Sequence, residues 1–190
     1  GYFAARNALE SSGIDKESLD YIIVAHNFGD VSHTNKRSDF VPSLASRIKY
    51  KLEIENPICI AYDIALGCPG WLQGVIQADY FIKSGDAKRI LVIGTETLSR
   101  VSDPHDRDSM IYADGAGAII LEAKTDSGQV GILCHSARSD AFNHANLLRM
   151  DKSNNPDHQG SEIFLKMDGR KLYSYALNNT PQSIKDCIDK

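Results

Sequence analysis

Cys68 is the residue whose position says most about chemistry. It sits in Gly67-Cys68-Pro69-Gly70, between a short apolar run at residues 58–64 and a long apolar-periodic stretch that closes at Gly85. A helix N-terminus favours the thiolate, the reactive form of cysteine, and offers backbone N–H groups that can hold a developing oxyanion. Pro69 suits the first turn, where a missing N–H costs nothing, and the flanking glycines let the chain bend and a substrate approach the sulfur. The same strand-turn-helix device exposes nucleophiles elsewhere. The competing reading is a small buried hydrophobe, which is what most lone cysteines are.

The other reactive side chains make no such pattern. His26, His33, His105, His135, His144 and His158 show no helical i, i+4 pair and no zinc-finger spacing, so no metal site is expected. Cys59, Cys134 and Cys187 lie far apart without a C-x-x-C pair, and reduced thiols are expected. Arg47, Lys49 and Lys51 form a basic stretch that reads as a solvated helix end. The run Asp114-Gly115-Ala116-Gly117-Ala118 lacks GxGxxG spacing and is read as structural, its glycines allowing close packing beside the cysteine.

The elements that must position Cys68 follow α/β grammar. Residues 3–12 repeat at helical spacing before Gly13, and residues 19–25 form an apolar, β-branched run typical of a strand buried on both faces. A polar loop at 26–41 leads to Pro42-Ser43 and a helix with Leu44, Ala45 and Ile48. Further buried strands are expected at 58–64, 89–94, 116–122 and 130–134, and a long helix between Gly70 and Gly85. Residues 138–162 read as a polar surface excursion, and a last helix runs from about Arg170, with Pro181 as an interruption. A helix without a strand before it, and another without a strand after it, suggest a larger fold.

Composition sets the class. The 190 residues are 42% hydrophobic and 24% charged, as in a globular protein, and the net charge of −4 argues against a nucleic-acid partner. No apolar run approaches the roughly 20 residues of a membrane span, and the start shows no signal-peptide pattern, so a cytoplasmic protein without a membrane partner is expected.

Asp63-Ile64-Ala65-Leu66-Gly67-Cys68-Pro69-Gly70-Trp71 resembles the active-site cysteine segment of the beta-ketoacyl-acyl carrier protein synthase III family. Residues 92–100, Asp103-Pro104-His105-Asp106-Arg107, Tyr112-Ala113-Asp114-Gly115-Ala116-Gly117-Ala118 and Met167-Asp168-Gly169-Arg170 are similar to that family's further landmarks, in order and spacing. The resemblance covers nearly the whole chain. It implies a thiolase-like layered α/β/α sandwich with a mixed sheet. Residues 1–165 would supply its N-terminal half, without the first strand and helix region, and 166–190 the opening helix of the C-terminal half.

The resemblance also implies a two-step acyl transfer. Cys68 would take an acyl group from an acyl-coenzyme A, and a malonyl-acyl carrier protein would lose carbon dioxide and attack the acyl enzyme. No cofactor is implied beyond the coenzyme A thioester as substrate, and a homodimer is. The family's decarboxylating His and Asn lie in the second half of its fold and have no counterpart here, so residues 1–190 alone are expected not to condense substrates. Arg107 matches an arginine used near the adenine end of coenzyme A, the alternative being a surface arginine in a polar loop. Phe40 or Val41 matches a side chain that crosses the dimer interface into the partner's acyl pocket. Gly67, Pro69 and Trp71 replace the family's Ala, Ala and Phe, and Trp71 is either a pocket wall or a core side chain. Two alternatives stand beside this reading: another acceptor, as in ester-forming or aryl-polyketide relatives, and a non-catalytic partner subunit.

Overall fold

In the computed structural model, which describes residues 1–32, 34, 37–125 and 131–190, helix α1 (Tyr2–Ser12) stops at Gly13. The left-handed φ of 66° there suits glycine, and its N–H closes on the Leu9 carbonyl. The chain then runs through β1 (Tyr21–His26), α2 (Leu44–Lys51), β2 (Ile60–Ala65), α3 (Gly70–Ser84), β3 (Arg89–Thr97) and β4 (Asp114–Glu122). These elements form one compact unit, Gly1–Arg100 with Ala113–Asp126, and Val101–Tyr112 with Ser127–Lys190 form a second.

The first unit is built on a four-stranded sheet in the order β2-β1-β3-β4. β1 runs parallel to β2 and β3, whereas β4 is antiparallel to β3, so the sheet is mixed. Alternation of side chains divides the core between its faces. Ile22, Val24, Leu91 and Ile93 pack with Ala5 of α1 and Ala45 and Ile48 of α2. Ile23 and Val92 face α3 through Gly74, where an added Cβ would lie 2.9 Å from Val92 Cγ1 and 3.4 Å from Ile23 Cγ2. Helices therefore cover both faces, as a layered α/β/α sandwich requires.

β1 is the buried strand expected, with Ile22, Ile23 and Val24 sealed from solvent. β2 differs from expectation. It is an edge of the sheet, only half-buried, with Ile60 49% exposed. An apolar run of this length reads the same whether one neighbour or two flank it.

The second unit holds a 3-10 turn (Arg107–Ile111), helix α4 (Ala141–His144), strands β5 (Leu148–Asp151) and β6 (Phe164–Met167), and helix α5 (Gly169–Ile188). β5 and β6 pair antiparallel, so the segment read as a surface excursion contributes a strand. The strand expected over 130–134 begins at Val130, outside the described residues, and no strand occupies 131–134. Pro181 lies inside a continuous α5 rather than ending it. Asp168 caps α5 by accepting from Lys171 N–H.

Candidate active-site elbow

The parallel register sets Ala25 beside Ile64 and Gly94, so β1, β2 and β3 end on one edge of the sheet. Open α/β sheets place ligand sites beyond these carboxyl ends. Cys68 lies three residues past the end of β2 and is exposed. Pro69 is the N-cap of α3, with φ −84° and ψ 0°, and its carbonyl accepts from Gln73 N–H. Gly70 N–H donates to the Gly67 carbonyl at 2.7 Å, closing the turn around Cys68. The elbow expected from the sequence is thus formed, with an exposed thiol at the start of a 15-residue helix.

The residues that hold this elbow were not singled out from the sequence. Asp63 of β2 accepts from His26 Nε2 at 3.0 Å and from the Leu44 and Ala45 N–H groups at 2.8 and 2.7 Å. One carboxylate therefore ties the strand that leads to Cys68 to β1 and to the first turn of α2. His26 Nδ1 accepts from Gly29 N–H at 3.3 Å, which leaves Nε2 as the nitrogen that carries the proton. Burial alone would raise the Asp63 carboxyl, but the hydrogen bonds from His26, Ala45 and Leu44 outweigh it and hold it below the usual range. A charged residue inside an apolar strand was the available signal, because it demands partners.

A second carboxylate fixes the neighbouring loop. Glu96 of β3 accepts from Asn27 and Phe28 N–H at 2.6 and 2.8 Å, and Thr97 Oγ1 donates to the Phe28 carbonyl at 2.5 Å. Asn27 thereby lies against the elbow, where a Cβ on Gly67 would meet its amide nitrogen at 2.9 Å.

Trp71 is half-buried and packs on Gly94, whose added Cβ would lie 3.1 Å from the Trp71 Cβ. Phe40 and Val41 are 61% and 84% exposed on the loop before α2, and the Val41–Pro42 bond is cis. Arg47 anchors that loop, binding the Asp30 carboxylate and the Asp39 carbonyl, the latter at 2.7 Å. Lys49 donates to the Asn56 and Cys59 carbonyls at 2.7 Å each. Arg47 and Lys49 are therefore engaged in holding loops and are not simply solvated. Gly115 and Gly117 lie within β4 and face open space, so the close packing expected of them does not occur among the described residues.

Arg107 belongs to the second unit, exposed at the start of its 3-10 turn. A buried charge cluster supports that turn. Asp103, with no exposed surface, binds Lys166 Nζ and accepts from His105 N–H, Asn154 N–H and Ser153 Oγ at 3.0, 2.7 and 3.0 Å. Lys166 also reaches Asp106 at 3.0 Å, and Asp106 caps the turn by accepting from Asp108 N–H. Desolvation opposes the Asp103 charge, but Lys166 and the surrounding donors hold its carboxyl far below the usual range. Among the described residues no group of three or more His, Cys, Asp or Glu could hold a metal ion, and no helix is long and apolar enough to cross a membrane.

Residues 62–141, which include Cys68, Trp71 and Arg107, match the family model for 3-oxoacyl-[acyl-carrier-protein (ACP)] synthase III. The chain is 36% identical over 191 residues to beta-ketoacyl-[acyl-carrier-protein] synthase III 1 of Vibrio vulnificus, covering 100% of this chain and 55% of that one. A crystal structure of 3-oxoacyl-(acyl carrier protein) synthase III from Pseudomonas aeruginosa superposes with a TM-score of 0.78 at 25% identity, over 99% of this chain and 54% of that one. The Aquifex aeolicus enzyme gives 0.70 at 28% identity, with 99% and 54% covered. The chain spans about half the length of the relatives it matches. By sequence and by fold together, it is similar to the 3-oxoacyl-[acyl-carrier-protein] synthase III family over that half.

Proposed function

We propose that this protein is a condensing acyltransferase whose Cys68 carries the acyl group. The observation that carries the reading is the exposed thiol at the strand-to-helix elbow, within the stretch that matches the family model. In the first step the Cys68 thiolate attacks the carbonyl carbon of an acyl-coenzyme A, and the coenzyme leaves as its thiolate. Backbone N–H groups in the first turn of α3 face the oxyanion that forms. In the second step a malonyl-acyl carrier protein loses carbon dioxide, its carbanion attacks the Cys68 thioester, and a 3-oxoacyl product leaves with the cysteine free again. Splitting the condensation in two replaces one hard step by two easier ones.

Arg107 is assigned to the coenzyme A phosphate and adenine, for which a planar guanidinium is suited. Trp71 is assigned to the wall of the acyl pocket, and Phe40 and Val41 to a pocket contributed across a homodimer. The exposed edge of β2 and the exposed Phe40–Val41 tip support a dimer, because such edges and apolar tips are ordinarily covered. The reaction needs no cofactor other than its thioester substrates, and the setting is the cytoplasm. Residues 1–165 are assigned to the first half of the fold and 166–190 to the opening of the second.

The test is to incubate the protein with a panel of acyl-coenzyme A thioesters and weigh the Cys68 peptide, with Cys68→Ala as control. An acyl mass on that peptide, absent in the variant, establishes the acyl enzyme and its preferred chain length. No acyl mass from any donor on folded protein refutes the coenzyme A reading.

A further inference from the structure

The second unit contains a pair of thiols that the condensation does not use. Cys187, on the last turn of α5, and Cys134, on the described segment after residue 130, are 53 residues apart in sequence, yet their sulfurs lie 3.8 Å apart. The Cys134 thiol also donates to the Cys187 carbonyl at 3.1 Å. Beside them, Lys190 Nζ donates to the His135 carbonyl at 2.8 Å, so a second contact holds the same segment against the same helical turn. Neither residue is buried: Cys134 is exposed and Cys187 half-buried. The hydrogen bond with Cys134 pushes the Cys187 thiol up, which marks the two groups as sharing a proton-bearing contact.

We propose that Cys134 and Cys187 form a thiol–disulfide exchange site that closes to an internal disulfide when it meets a low-molecular-weight disulfide. The more exposed Cys134 attacks first, as the thiolate. One sulfur of the reagent bonds to Cys134 and the other leaves as a free thiolate. The Cys187 thiolate, having given its proton to solvent, then attacks the Cys134 sulfur and expels the second half of the reagent. The protein loses two hydrogens and the disulfide reagent is reduced to two thiols. To bond, the sulfurs must close from 3.8 Å to about 2.05 Å. The Cys134 segment is neither helix nor strand and its neighbour Leu133 is 72% exposed, so little packing resists that movement.

Cys59 and Cys68 provide internal controls. Cys59 is 2% exposed and burial pushes its thiol up, which makes it unreactive in the folded protein. Cys68 is exposed and accepts the reagent, and with no thiol paired to it among the described residues it is expected to stop at the mixed disulfide.

The experiment is to titrate the protein with oxidised glutathione, quench with acid, alkylate, and map peptides by mass. The expected result is a Cys134–Cys187 linked peptide pair about 2 Da lighter than the sum of its parts, restored by dithiothreitol. Cys187→Ser is expected to trap glutathione on Cys134, and Cys134→Ser to abolish the link. Should either variant fail to fold, the peptide map of the unaltered protein decides alone. Glutathione retained on Cys134 with Cys187 still alkylated, or a link from either residue to Cys68, overturns the proposal. So does full alkylation of both thiols after oxidation.

Discussion

Replacing Lys166 by Met removes the cation bound to Asp103 in a cluster where Asp103 has no exposed surface and Lys166 only 5%. The Asp103 carboxylate keeps its hydrogen bonds from His105, Asn154 and Ser153, but its counter-charge is gone. Breaking a buried pair in this way costs about 3–5 kcal/mol. The lower end applies here, because three donors remain and the Asp106 side chain keeps 13% of its surface in water. Lys166→Met is therefore expected to destabilise the protein by about 3 kcal/mol, or about 6–12 °C in melting midpoint for a protein of this size. The assay is urea unfolding at neutral pH, followed by far-ultraviolet circular dichroism.

The pH dependence carries the sign. The folded-state Asp103 carboxyl is depressed, so it contributes stability above the unfolded carboxylate range near pH 4, and that stability disappears as pH falls through the folded value. In Lys166→Met the carboxyl moves up towards its ordinary value. The gap between the two proteins is then full at neutral pH and closes progressively below about pH 4. Adding Asp103→Asn recovers part of the loss, because the unpaired charge is removed. A Lys166→Met variant within about 0.5 kcal/mol of the parent at pH 7, or a gap that does not change with pH, would show that the cluster does not hold the Arg107 turn as described.

Asp63→Asn replaces a carboxylate that accepts from three directions by an amide that must turn N–H groups towards donors, and a loss of about 1–2 kcal/mol is expected in thermal unfolding. Arg107→Ala is expected to raise the acyl-coenzyme A concentration for half-maximal acylation of Cys68 about tenfold with a smaller change in the limiting acylation rate, read by mass over time; an unchanged half-maximal concentration removes Arg107 from the binding surface. Trp71→Ala is expected to lengthen the preferred acyl chain, read from competing thioesters in the Cys68 acylation assay, and an unaltered preference assigns Trp71 to the core alone.

Much of the frame could be read from short-range patterns. Gly13 and Gly85 stop α1 and α3 where the sequence placed them, both in the left-handed conformation, and the unbroken run of β-branched residues in β1 is buried throughout. Cys68 was legible because its neighbours Gly67, Pro69 and Gly70 are local. The supports of the site were not, since each is a pairing across many residues: His26 with Asp63, Asn27 with Glu96, Asp103 with Lys166. Spacing rules give no access to such pairs. A lone charge within an apolar run, as at Asp63 and Lys166, does announce that a partner must exist. β5 and β6 escaped notice because four residues are too few for alternation to register.

The contact between Trp71 and Gly94 links two positions that sequence comparison treats as separate. A Cβ at 94 would meet the Trp71 Cβ at 3.1 Å and its Cγ and Cδ1 at 3.5 Å, so α3 would have to give by a few tenths of an ångström, and the Cys68 turn at its start with it. The nearest atom is the Cβ that every residue but glycine carries, so trimming the indole at 71 does not by itself make room at 94. Glycine at 94 is therefore expected to accompany any residue other than glycine at 71, tryptophan among them.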